Sequence, residues 1–178
     1  MTSRRSATAN DSKRRFSDPG GRAFRIADYP FYRIARVNNL YAGCLDRALK
    51  PRGMDQPRWR VLMILSEHNP SAMGLIAEMA VMKLPTVVKL VRRMVAEGLV
   101  RSSPRARDRR VSDVTITAAG RRGLVVVKRA ASVVYAHAAE NLGDTQLAAL
   151  NATLRQIEIG LQGIKVAKRR SVARGKRS

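Results

Sequence analysis

Cysteine occurs once in this 178-residue chain, at Cys44, so there can be no internal disulfide framework, and the chain fits a reducing cytosol. Aromatic residues make up 4% of a chain that is 45% hydrophobic, so aliphatic side chains must fill any core. Acids are scarce too. Thirteen Asp and Glu face thirty-five Arg and Lys, a formal net charge of +22, which leaves few carboxylates for catalysis. The two histidines, His68 and His137, have no Cys or paired acids at metal-ligand spacing nearby. No glycine-rich phosphate loop or nucleophile motif is present. These absences argue against an enzyme, a metal centre and a resident cofactor. No apolar run approaches the roughly 18 residues of a transmembrane helix, and the amino terminus lacks the apolar stretch of a signal peptide. Its Arg- and Ser-rich start resembles an organellar address only superficially, because Asp11 and Asp18 interrupt it. The expected compartment is a bacterial or archaeal cytosol, near the nucleoid.

The bases that are present are unevenly placed. Residues 1–25 carry seven Arg and Lys against two acids, and residues 165–178 carry seven against none. Segment 83–129 carries thirteen against three, while the rest of the interior balances at eight against eight. Charge confined in this way is an electrostatic footprint for a polyanion, and a membrane surface is disfavoured by the missing apolar segments. The length suits one ordinary domain with tails. The polar stretch 1–25, with Pro19-Gly20-Gly21 near its end, reads as a disordered basic arm, and 166–178 as a similar tail.

Between them the periodicity predicts six helices. The first starts at Asp28 as cap and carries Ile34, Val37, Tyr41, Leu45 and Ala48 to a stop before Pro51 and Gly53. The second covers about 57–68, with Trp59, Leu62, Met63 and Leu65 as its apolar positions, and the third about 71–80. The fourth runs from Leu84 to Glu97, where Gly98 supplies a left-handed stop. A strand to Arg101, an arginine-rich loop and a strand over 110–116 precede a fifth helix, capped by Thr117 and reaching about Asn141. Gly143-Asp144 then opens a sixth. Its Leu147, Leu150, Leu154, Ile157, Leu161 and Ile164 step by threes and fours, a narrow seam suited to a second copy of the chain.

At about 100° per residue, the fourth helix places Leu84, Val87, Leu90, Val91 and Met94 on one face, with Val95 at its edge. Pro85, Thr86, Lys89, Arg92 and Arg93 lie opposite. One face anchors the helix; the other offers a hydroxyl and three cations. A helix in the major groove reads base edges mainly through its early turns, so Thr86, Lys89 and Val88 are the candidate base contacts. Arg93, further along, is the candidate phosphate contact. The loop SSPRARDRRVSD brings Arg105, Arg107, Arg109 and Arg110 together. Asp108, an acid in a phosphate-seeking loop, is expected to accept a hydrogen bond from a guanidinium or backbone amide, fixing the loop so that another arginine points outward. A wing arginine suits a narrow minor groove. Helix, glycine, strand, basic loop, strand and helix follow in the order of a winged helix-turn-helix.

Residues 30–165 resemble a MarR-family transcriptional regulator. The resemblance rests on Trp59-Arg60-Val61-Leu62, Leu75-Ile76-Ala77 and the run Pro85 to Met94. It continues through Glu97-Gly98-Leu99-Val100-Arg101, Asp108-Arg109-Arg110 and Val114-x-Ile116-Thr117-x-x-Gly120. The ordered set is more specific than any piece. It implies a mainly α fold with a small β-wing, and a dimer based on the first, fifth and sixth helices. On that basis the DNA-binding lobe spans about 56–117 and the dimerisation helices about 28–50 and 118–165. The resemblance further implies that Asp108 and Arg110 order the wing and reach the minor groove. It implies a small phenolic or aromatic effector between dimer base and lobe, for which Tyr41, Trp59, Arg60 and Met63 are the candidate lining. Cys44 reads better as a small core residue than as a peroxide sensor. The long basic tails and the extra bases before Asp108 depart from the family pattern. The expected function is a repressor that binds double-stranded DNA, at a pseudo-palindromic operator, as a homodimer. An architectural, DNA-coating protein of low sequence specificity is the alternative that the tails favour.

Overall fold

The structure is a computed structural model that describes residues 17–105 and 108–174; for residues 109–110 and 165–174 it describes the backbone alone. The chain divides into two compact units, Met1–Val134 and Tyr135–Ser178. The described residues form six α-helices, two 3-10 turns and three strands.

Helix α1, Pro30–Leu49, begins one residue after a 3-10 turn over Ile26–Asp28. Asp28 belongs to that turn and does not cap α1. Proline forces the residue before it into extended backbone, so Tyr29 (φ −83°, ψ 111°) becomes the boundary, with no side-chain cap. The C-terminal end of α1 buries Leu45 and Leu49, while Phe31, Ile34, Val37 and Leu40 ahead of them stay exposed. Order also reaches back into the expected arm, where the Gly21 amide donates to the Asp18 carbonyl at 2.9 Å and the Phe24 ring meets Tyr29 edge-on. Residues 1–16 lie outside the described part.

Helix α2, Gln56–Glu67, is capped by Asp55, whose Oδ1 accepts the Arg58 amide at 2.9 Å. It buries Val61, Leu62, Ile64 and Leu65, with Trp59 and Met63 half-buried against the same core. The third helix is shorter than its periodicity suggests. Ser71–Ala72 forms strand β1, leaving Met73–Met79 as α3. The exchange follows from a distant partner, since Ser71 pairs with Val114 and Ala72 with Asp113.

Helix α4, Leu84–Ala96, buries Val87, Leu90, Val91 and Met94 and ends before Gly98, whose φ of 71° is the expected left-handed stop. Leu84, assigned to the apolar face, is half-exposed in the first turn, where the core does not reach it. Strands β2, Val100–Arg105, and β3, Asp108–Ile116, pair antiparallel from Val100 opposite Ile116, with a register shift at Pro104/Arg105. The sheet order is β1-β3-β2. Asn69 secures its inner end by accepting the Ile116 amide on Oδ1 at 3.0 Å.

Helix α5, Ala118–Ala139, starts where the sequence reading put it. Thr117 Oγ1 accepts the Gly120 amide at 3.0 Å and lies 2.7 Å from the Gly98 carbonyl and 3.0 Å from that of Leu99. One hydroxyl thus ties the helix start to the foot of the wing. The core that α1 to α5 and the sheet enclose is aliphatic, as so few aromatics require; each fully buried Leu, Ile, Val or Met contributes about 1.5–3 kcal/mol.

Helix α6, Asp144–Arg174, continues past residue 165, so the expected tail is helical as far as Arg174; 175–178 lie outside the described part. Its start is held by Gln146, whose Oε1 accepts the Gly143 amide at 2.9 Å. Leu150, Leu154, Leu161 and Ile164 are exposed along it, and Leu147 and Ile157 are half-buried.

Candidate nucleic-acid interface

The α4 wheel divides as its residue types dictate. With Val87, Leu90, Val91 and Met94 fully or almost fully buried, Pro85, Thr86, Lys89, Arg92 and Arg93 are exposed and Val88 is half-buried. Thr86, Lys89 and Arg92 therefore share the solvent side of a helix held firmly from behind. Lys89 and Arg92 make no hydrogen bond or ion pair among the described residues, so their charges are available to an incoming anion. A shallow hollow of about 260 Å³ runs beside them, lined by Pro57, Met82, Thr86, Lys89, Leu90 and Arg93.

Arg93 differs from its neighbours. Its Nη2 lies 3.1 Å from Asp55 Oδ2, and its Nε 3.9 Å from Glu97 Oε1. Arg58 completes the group, with Nη1 donating to Glu97 Oε2 at 2.7 Å and Nε 3.2 Å from Asp55 Oδ2. Partial burial alone would lower the Arg58 pKa, but the hydrogen bond to Glu97 and the charge of Asp55 outweigh it and hold the pKa above its ordinary value. The residue expected to grip a phosphate is thus already gripped by carboxylates. Glu97 stands four residues on from Arg93, a spacing visible in the sequence, but Asp55 is 38 positions away and nothing local signals its part.

In the wing, Arg105 Nε and Nη2 donate to the two carboxylate oxygens of Asp113 at 3.0 and 2.7 Å. The fork geometry matches the carboxylate, the strongest arrangement open to this pair. The hydrogen bond from Arg105 holds the Asp113 carboxyl below the usual carboxylate range, against partial desolvation. Asp113 thus fixes Arg105 in the wing, alongside the loop-ordering role expected of Asp108. Asp108 is half-buried and adds a smaller Coulombic pull on Arg105. The β2–β3 register brings Arg105 and Asp113 to one place, a cross-strand relation that residue spacing does not reveal. Arg105 is accordingly part of the wing's frame. Arg107 lies outside the described residues, as do the side chains of Arg109 and Arg110, whose backbones belong to β3.

The turn between α3 and α4 holds another feature that the sequence reading missed. Val81 has a φ of 54°, in the left-handed region, and is 87% exposed. A β-branched residue there is strained, and its side chain sits at the entrance to α4.

The four residues expected to line an effector pocket, Tyr41, Trp59, Arg60 and Met63, are all half-buried. Tyr41, Trp59 and Met63 pack half-buried against the core, and Arg60 spends a guanidinium nitrogen on the Ala80 carbonyl at 2.9 Å, closing the end of α3. None of the four lines the hollow beside α4. Nor do they line the larger hollow of about 530 Å³ bounded by Asp46, Arg47, Lys50, Gly53, Met54, Asp55 and Arg58. Trp59 Nε1 is buried without an acceptor. Cys44 is half-buried, with Arg47 Nη2 3.2 Å from its sulfur. Among the described residues no cluster of His, Cys, Asp or Glu could hold a metal, and no helix is long and apolar enough to cross a membrane.

An apolar-backed cationic helix, set beside a clamped two-stranded wing, defines a winged helix-turn-helix DNA-binding protein. A model of the MarR family matches residues 54–112, from the start of α2 into β3. The chain is 36% identical over 140 residues to the HTH-type transcriptional repressor IacR of Pseudomonas putida, covering 79% of this chain and 84% of that one. It is 29% identical over 135 residues to the transcriptional activatory protein BadR of Rhodopseudomonas palustris, covering 74% and 76%. Among solved structures, CouR of Rhodococcus jostii RHA1 bound to p-coumaroyl-CoA shares the fold at a TM-score of 0.69 and 24% identity, over 75% of this chain and 94% of that one. A structure of CouR bound to a 23-mer DNA duplex aligns equally well, at a TM-score of 0.69 and 20% identity, over 75% and 94%. The chain belongs to the MarR family of DNA-binding transcriptional regulators, and is a regulator rather than an enzyme.

Proposed function

We propose that the chain is a cytosolic, homodimeric repressor that occupies a pseudo-palindromic operator and leaves it when an aromatic effector binds. The observation that carries this reading is the free cationic face of α4 beside the braced wing. Thr86, Val88 and Lys89, with Pro85 at the helix start, enter the major groove. Arg107, Arg109 and Arg110 serve the adjacent minor groove, with Asp108 ordering the loop. Dimerisation supplies the second reading head, since two-fold pairing places two α4 helices on half-sites about one turn, roughly 34 Å, apart. The exposed seam of α6 and the exposed first half of α1 favour that pairing, because a lone soluble chain rarely leaves so much apolar surface uncovered. On this reading residues 56–117 are the DNA-binding lobe, and 28–50 with 118–165 the dimerisation helices.

IacR, at the higher identity, is named a repressor, which favours repression over the activation in BadR's name. The p-coumaroyl-CoA of CouR supports an aromatic effector. Trp59 Nε1, a buried donor in need of an acceptor, makes Trp59 the leading effector contact, with Tyr41, Arg60 and Met63 as further candidates.

Gel retardation of the DNA flanking the protein's own gene, against an unrelated duplex of equal length at one salt concentration, tests the reading. Lys89→Ala should weaken operator binding by about 5- to 150-fold, or about 1–3 kcal/mol, and unrelated binding far less. Equal losses on both duplexes would remove Lys89 from base reading. A parent protein with no preference for either duplex would favour the DNA-coating alternative.

A further inference from the structure

The four charges joining α2 to α4 form a neutral group inside a strongly basic face. Asp55 and Glu97 balance Arg58 and Arg93. Arg58 is largely shielded, its side chain 18% exposed, and packing alone accounts for it. Arg93 is 55% exposed on the same side of α4 as Lys89, in easy reach of a phosphate, yet Asp55 holds it at 3.1 Å. The same Asp55 carboxylate caps α2, so it cannot swing away with Arg93 without abandoning the Arg58 amide.

We infer that Asp55 is a specificity-determining residue, acting through Arg93: it withholds that arginine from phosphate, so that α4 docks by its early turns. The inference rests on the DNA-binding reading above. Phosphate contacts carry no sequence information, and in a chain with a formal net charge of +22 each additional one strengthens binding to every duplex. The gain is unequal. In the operator complex, base contacts at Thr86 and Lys89 fix the pose of α4, and a freed Arg93 can only take what that pose allows. In a non-specific complex nothing fixes the pose, so the helix can shift until Arg93 finds a phosphate. Releasing Arg93 therefore erodes discrimination.

Asp55→Asn separates the two duties of this residue, because asparagine caps a helix as well as aspartate does but carries no charge. Equilibrium binding to the operator and to an unrelated duplex is measured from about 50 to 200 mM salt, where the slope of log K against log salt changes by about 0.9 for each phosphate contacted. The variant should bind the unrelated duplex several-fold more tightly, with a slope steeper by about 0.9 per protomer, and its operator preference should fall. Adding Arg93→Gln should restore the parental slope. In the otherwise unaltered protein, Arg93→Gln alone should leave the slope unchanged. This arm keeps the test decisive even where Asp55→Asn impairs folding. A shallower slope for Arg93→Gln alone, or no steepening in a folded Asp55→Asn variant, would overturn the inference. Neither result would touch the broader reading, which falls only with the operator preference of the parent protein.

Discussion

Replacing Gly120 by alanine sets two effects against each other, and the structure decides between them. Gly120 lies in the first turn of α5, where alanine is favoured over glycine by about 1 kcal/mol on helix propensity alone. A methyl group there would enter the contact shell of the Leu99 carbonyl oxygen and lie 2.9 Å from Ile116 Cγ1 and 3.1 Å from the Leu99 carbonyl carbon. Two of those three atoms are backbone, and the Leu99 carbonyl also accepts from the Thr117 amide at 3.1 Å, so it cannot retreat cheaply. Overpacking of this kind costs about 1–3 kcal/mol, at the upper end where the neighbour is main chain. Gly120→Ala should therefore destabilise by about 2 kcal/mol net, lowering the melting temperature by about 4–8 °C for a chain of this size. The assay is a pair of thermal or urea melts at equal protein concentration. A variant as stable as the parent, or more stable, would show that propensity wins and that α5 and the wing are not in close contact at Gly120.

The wing clamp should respond to acid. Arg105 holds Asp113 below the ordinary carboxylate pKa, so its contribution is fully present above that ordinary value, about 4, and disappears only as pH falls through the depressed one. Asp113→Asn should abolish this part of the acid response and weaken operator binding at neutral pH, measured by fluorescence anisotropy; an unchanged affinity would free the wing from dependence on the pair. In α6, Leu154→Glu with Leu161→Glu should yield monomers by sedimentation and poor operator binding, and an unaltered sedimentation profile would refute the seam.

Helix identities were legible because apolar residues recur at helical intervals and because Gly98, Thr117 and Gly143 punctuate the chain. The α4 faces could be read for the same reason: a wheel built on Val87, Leu90, Val91 and Met94 leaves Thr86 and Lys89 no other side. What stayed hidden depends on residues distant in sequence. Ser71 reads as a helix start until Val114 pairs with it. Asp113 looks like an ordinary polar position until the β2–β3 register brings it to Arg105. Arg93 looks as available as Arg92 until Asp55, ahead of another helix, claims it. Gly120 is only a motif position until Leu99 proves to be its neighbour. Local pattern gives the elements and the electrostatic face, whereas the choice of which cations stay free is made by tertiary pairing.

A dimer whose two α4 helices read one duplex leaves a characteristic footprint. Hydroxyl-radical and methylation footprinting of the operator tests it most directly. Two protected segments about one helical turn apart are expected, with guanine N7 protection from methylation inside each fading selectively in Lys89→Ala. Uniform protection along the duplex, unchanged by Lys89→Ala, would contradict it.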